Sequence, residues 1–108
     1  MAGKNLVVVE GEKEFNKLIG ESNVVVDFHA DWCGPCKILN PIIEKVAPEF
    51  DGTVKFAKID VDKNQDLAQR FQVMTIPTVI FFKEGKQVER FSGALLEDEL
   101  KKKIDESF

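Results

Sequence analysis

The chain has 108 residues, 44% of them hydrophobic and 31% charged, which is enough for one domain with a real core. Its net charge of −4 comes from interleaved acids and bases and excludes the concentrated basic surface that a nucleic-acid site needs. No apolar stretch approaches membrane-spanning length, and the first residues have neither the apolar core of a signal peptide nor the bias of a transit peptide.

Leu6 to Val9 is a short β-rich run. A helical pattern follows in which Phe15, Leu18 and Ile19 share a face, and Gly20 is expected to stop it. Val24 to Ala30 is nearly continuous apolar sequence, the signature of a central strand covered on both faces. From Cys33 onward Ile38, Leu39, Ile42, Ile43, Val46, Ala47 and Phe50 recur at helical spacing. Pro41 falls inside that pattern and predicts a kink, and Pro48 predicts an end or a bend. Val54 to Val61 reads as a third strand, after which Asn64 is placed to cap a short helix carrying Leu67, Ala68 and Phe71. Val79–Phe82 and Gln87–Phe91 are strands joined by the hairpin signal Lys83-Glu84-Gly85-Lys86. A last amphipathic helix puts Leu96, Leu100, Ile104 and Phe108 on one side. Its Lys101-Lys102-Lys103 run follows Glu97, Asp98 and Glu99, an order that suits the helix dipole and reads as helix dressing. Strands alternating with helices imply a three-layer α/β domain, and the terminal hairpin adds antiparallel strands to a parallel core.

Both cysteines lie in Trp32-Cys33-Gly34-Pro35-Cys36-Lys37, directly after the apolar run. A turn between a buried strand and a helix start favours a thiolate, because free backbone N–H groups and the helix dipole both favour negative charge. Cys36 would lie one helical turn on, on the same face. The pair admits three readings: a redox couple, a metal half-site or a structural staple. The staple is the weakest, since a bridge over two residues closes too small a loop to hold a fold. Zinc would need two more ligands, and the only other soft donor is His29.

The block Val26-Asp27-Phe28-His29-Ala30-Asp31-Trp32-Cys33-Gly34-Pro35-Cys36-Lys37 resembles the active-site segment of the thioredoxin family. The likeness runs the length of the chain, through Thr75-Ile76-Pro77-Thr78 and Phe82-Lys83-Glu84-Gly85 to Ser92-Gly93-Ala94. It implies a single thioredoxin domain over residues 1–108, with a mixed five-stranded sheet flanked by four helices. It also implies a monomeric protein dithiol–disulfide oxidoreductase with no bound cofactor. Electrons would come ultimately from NADPH through a thioredoxin reductase and pass to disulfide-containing client proteins. Neither nucleic acid nor membrane is an expected partner. Phe28-His29-Ala30, with Cys36-Lys37-Ile38-Leu39 after it, is similar to mitochondrial-type members, so the expected address is the mitochondrial matrix (as a mature form) or the cytoplasm.

Cys33 is the expected nucleophile, its sulfur exposed before the helix and facing free N–H groups that lower its pKa. Cys36, shielded inside the first turn, would resolve the mixed disulfide. Pro35 fixes φ and stiffens the turn that must hold dithiol and disulfide alike. By resemblance, Gly34-Pro35 is the reducing version of the dipeptide between the cysteines.

Asp27 is an acid in a strand that should be buried, which raises its pKa and is costly enough to suggest a function. By resemblance it serves Cys36 as proton acceptor and donor. The alternative is a structural salt bridge to Lys58 on the neighbouring strand, which would pull the pKa back down. Resemblance also makes Ile76–Pro77 a cis bond against the cysteines, leaving the Ile76 backbone free to pair with an extended client. Trp32, Ile76, Gly93 and Ala94 would form an apolar surface around Cys33. His29 departs from the aromatic residue common at its position; it is placed to pack under the loop or to couple to Asp27 or the cysteines. Other functions stay open: an oxidase or isomerase of the same fold, and a non-catalytic binding subunit.

Overall fold

Val24, Val25, Val26 and Phe28 are fully buried, so the second strand has core on both of its faces, and the domain is arranged around it. The computed structural model describes residues 3–108; residues 1 and 2 of the expected domain lie outside the described residues. The elements run β1 (Leu6–Val8), α1 (Glu12–Glu21), β2 (Val24–His29), α2 (Gly34–Val46), β3 (Lys55–Asp60), α3 (Gln65–Arg70), β4 (Thr78–Lys83), β5 (Lys86–Ser92) and α4 (Glu97–Ser107), with a 3-10 turn over Ala47–Phe50. The five-stranded sheet has the order β1-β3-β2-β4-β5. β3 runs parallel to both β1 and β2, while β4 is antiparallel to β2 and to β5.

Two cores sandwich the sheet. Val25, Phe56, Val79 and Phe81 meet Leu39, Ile43 and Val46 of α2 and Leu100 and Ile104 of α4 on one face. Val24, Val26, Phe28, Ile59, Ile80 and Phe82 meet Phe15 and Ile19 of α1 and Leu67 of α3 on the other. The alternation along β2 therefore places Asp27 on the Val25 face, under α2.

Several local expectations change. Gly20 does not stop α1, which runs to Glu21 and closes with the Ser22 N–H donating to Leu18 C=O at 3.1 Å. A mid-helix glycine costs only about 1 kcal/mol, and burial of Ile19 carries the last turn past it. α2 continues through Pro41, then tightens after Val46 into the 3-10 turn that contains Pro48. Asn64 does sit at the N-cap of α3, but its side chain makes no cap bond. It accepts from the Gly11 N–H at 2.8 Å and donates to Asp60 C=O at 3.0 Å, tying two loops together. Leu96 is 71% exposed and outside the buried stripe of α4; Glu99 reaches back to its N–H at 3.2 Å. Lys101 bridges Glu97 and Glu49, and Lys45 of α2 bridges Glu97, so Lys101 ties α4 to the 3-10 turn and Glu97 ties it to α2.

Candidate active site

β2 ends at His29, the chain turns at Asp31-Trp32, and Cys33 is the N-cap of α2 with extended backbone at φ −85°. Cys33 and Cys36 form a disulfide with their Cα atoms 5.3 Å apart. The Cys36 N–H donates to Cys33 Sγ at 3.2 Å, so a first-turn N–H of the helix points at that sulfur. Pro35 sits in the first helical turn, where its missing N–H costs no helical bond.

The expected exposure of Cys33 does not hold. Cys33 is 3% exposed and Cys36 1%. Its sulfur is turned inward onto its partner, and Ala30, Val61 and Ile76 pack around the pair. Burial therefore fails to distinguish the two cysteines. Their positions do: Cys33 stands outside the helix, Cys36 inside its first turn.

Trp32 is 70% exposed, and its indole Nε1–H donates to Asp62 Oδ2 at 2.8 Å. Asp62 is not a sequence candidate, since Asp62-Lys63 after the third strand reads as ordinary loop and nothing in it points thirty residues back.

Across from the disulfide, Ile76–Pro77 is cis. Ile76 is half-buried against the cysteines, Pro77 is buried, and no backbone hydrogen bond engages Ile76 among the described residues. The Gly93 N–H donates to Pro77 C=O at 2.8 Å from a φ of +91°, a conformation that favours glycine. Ala94 beside it is exposed. Thr78, also missed in the sequence, is buried with its hydroxyl donating to Thr75 C=O at 2.6 Å.

Asp27 is 1% exposed, opposite Lys58 on one side and Val79 on the other. Burial pushes its carboxyl up to about 7, against a smaller pull downward from the Lys58 charge. No group among the described residues donates to either carboxylate oxygen, and no ion pair joins it to Lys58. The salt-bridge expectation is thus corrected. The register sets the two side chains on one face, and Lys58 acts on Asp27 through its field alone.

His29 is half-buried, and its pKa falls below 6.5, first through burial and then through Lys58; Asp60 and Asp31 oppose that shift. It is a neutral imidazole at pH 7. Among the described residues, no three His, Cys, Asp or Glu side chains come together as a metal-holding group. No helix of the described residues is long and apolar enough to cross a membrane.

The family model described as Thioredoxin matches residues 6–106. The chain belongs to the thioredoxin family. It is 39% identical over 105 residues to a thioredoxin of Chlorobaculum thiosulfatiphilum, covering 97% of each chain. It is 51% identical over 80 residues to the mitochondrial thioredoxin of Bos taurus, covering 74% of this chain and 48% of that protein, so it aligns with about half the length of that relative. The X-ray structure of Fasciola hepatica thioredoxin superposes with a TM-score of 0.86 at 42% identity, covering 94% of this chain and 98% of that one. Both the thioredoxin fold and its mixed sheet are those expected from the sequence. Thioredoxin-family membership and the Cys33–Cys36 pair together support a protein-disulfide oxidoreductase.

Proposed function

We propose that this chain reduces disulfides of client proteins and is itself re-reduced by a thioredoxin reductase drawing on NADPH. The observation that carries the reading is the N-cap position of Cys33, whose sulfur accepts the Cys36 N–H. A thiolate there is favoured by that donor and by the positive end of the helix dipole. In the reduced protein, the Cys33 thiolate attacks one sulfur of a client disulfide and releases the other as a thiolate. The Cys36 thiol then gives its proton to Asp27. Its thiolate attacks Cys33 Sγ, frees the second client thiolate and restores the Cys33–Cys36 disulfide. A carboxyl with a pKa of about 7 is matched to taking and returning that proton near neutrality. Lys58 tunes it, while Gly34 and Pro35 shape the loop.

The client would lie over Trp32, Ile76, Pro77, Gly93 and Ala94. The unengaged Ile76 backbone offers strand-like pairing, and the shallow apolar surface suits many partners without reading their sequence. The domain acts alone, as a monomer and without a bound cofactor. Similarity to mitochondrial relatives supports an address in the mitochondrial matrix, with the cytoplasm as the other expectation.

The test is reduction of a disulfide-bonded protein by NADPH and thioredoxin reductase. Wild type is expected to be active. Cys36→Ser should accumulate a mixed disulfide with the client, and Cys33→Ser should form none. Trapping through Cys36 in the Cys33→Ser protein would reverse the assigned roles. Equilibration with glutathione buffers, followed by Trp32 fluorescence, should give a reducing potential. An oxidising one would make the chain an oxidase or isomerase, and full biological activity of the double Cys→Ser protein would make it a binding subunit.

A further inference from the structure

The segment from Phe71 to Pro77 lays Ile76 against the disulfide, yet little of it is packed at its centre. Met74 is 89% exposed and Thr75 is exposed too. Inside it the Thr78 hydroxyl of β4 holds Thr75 C=O at 2.6 Å, and its two ends are tied from β5 and from the residue after β5. At the far end the Gly93 N–H holds Pro77 C=O at 2.8 Å. At the near end Arg90 donates from Nη1 to Phe71 C=O and from Nη2 to Gln72 C=O, the latter at 2.8 Å.

The near end needs holding. Gln72 has a φ of +51°, a left-handed conformation that a residue with a Cβ adopts at a cost. It is the residue at which the chain leaves α3, with Gln72 N–H bonded to Gln69 C=O and Val73 N–H to Ala68 C=O. Phe71 and Gln72 are the two residues that follow the helix, and theirs are the carbonyls that Arg90 takes. A guanidinium fork matches two adjacent carbonyls, and a cation is favoured at the C-terminal end of a helix. Arg90 reaches them because it pairs with Ile80 in the ladder, on the α1 and α3 face of the sheet.

We propose that Arg90 is a positioning residue for client binding: from the edge strand it fixes where the Gln72–Pro77 loop presents Ile76. This rests on the reading of Ile76 as part of the client surface. Arg90 touches neither cysteine, so its loss should act on clients that use the loop and spare disulfides too small to do so.

The experiment compares wild type, Arg90→Met and Arg90→Lys on insulin and on a small aromatic disulfide, with amide hydrogen exchange of the oxidised proteins alongside. Arg90→Met loses both charge-assisted hydrogen bonds, and its KM for insulin should rise by about tenfold or more. Its kcat and the small-disulfide rate should stay within about twofold of wild type. Exchange at Thr75 and Ile76 should quicken about tenfold, with α2 unchanged. Arg90→Lys, whose ammonium can hold one carbonyl, should recover part of each effect. A lower melting temperature with KM and loop exchange unchanged would make Arg90 merely structural and overturn the proposal. Equal losses on both disulfides would overturn it too. If Arg90→Met does not fold, Arg90→Lys decides by the same readouts. A wild type inert toward both disulfides would sink the reductase reading instead, and loop exchange would still judge the tether.

Discussion

A carboxyl walled in by β-strands and covered by a helix loses its hydration before it gains a partner, and Asp27 shows the result in a pKa near 7 instead of 3.8. Between those values the folded state keeps a proton that the unfolded chain has released. Stability should therefore fall as pH rises from about 4 to about 7 and stay low above that, a penalty of up to roughly 4 kcal/mol. Asp27→Asn removes the titration. Urea unfolding of the two proteins side by side should show them equal within about 1 kcal/mol at pH 4, with the variant increasingly the more stable up to pH 8, while the shift of His29 acts equally on both. A wild type that gains stability relative to Asp27→Asn on going from pH 4 to 8 would mean that Lys58 outweighs burial. The oddity of Asp27 was legible in Val24-Val25-Val26-Asp27-Phe28, because an acid breaks an apolar run at a visible place. The Trp32–Asp62 bond was not, since it depends on two loops meeting at one end of the sheet. The inward turn of Cys33 was hidden for a related reason: its cover comes from Val61 and Ile76, far along the chain.

At the level of elements, spacing carried most of the reading. The stripe Leu39, Ile43 and Val46 is buried as its period demands, and β2 is covered on both faces as its unbroken apolar run requires. Boundaries and caps were less legible because packing decides them: Ile19 carries α1 beyond Gly20, and Asn64 turns from its own helix to bind Gly11. The hairpin between β4 and β5 shows local chemistry that is nearly but not fully matched. Glu84 and Gly85 have φ values of 55° and 79°, a two-residue turn with both centres left-handed. Glycine accepts that conformation freely, and glutamate does not. Glu84→Asn should therefore stabilise the domain by about 0.5–1 kcal/mol, and Gly85→Ala should destabilise it by about 1 kcal/mol or more. Chemical denaturation reads both. A Glu84→Asn protein weaker than wild type would mean that this turn is not what limits the hairpin.

At the scale of the molecule, the order β1-β3-β2-β4-β5 brings Cys33, Ile76 and Gly93, from three separate stretches of chain, to one end of the sheet. The alternation of elements predicted the layers, while only the strand pairing says which loops become neighbours. The two cores that fix this pairing contain neither cysteine; the disulfide belongs to a third, small cluster with Ala30. The pair therefore rides on the fold instead of holding it together. Closing so short a loop restricts the unfolded chain by only about 2 kcal/mol, against a native state whose apolar burial lies elsewhere. Reduction should lower unfolding free energy by about that amount and leave far-UV circular dichroism and the exchange protection of β2, β3 and β4 in place. A redox carrier requires this, since one surface must receive oxidised clients while reduced and meet its own reductant while oxidised. If reduction instead melted the sheet, the cysteines would be a staple after all, and a thiolate poised at the α2 N-cap could not exist in the state that has to attack.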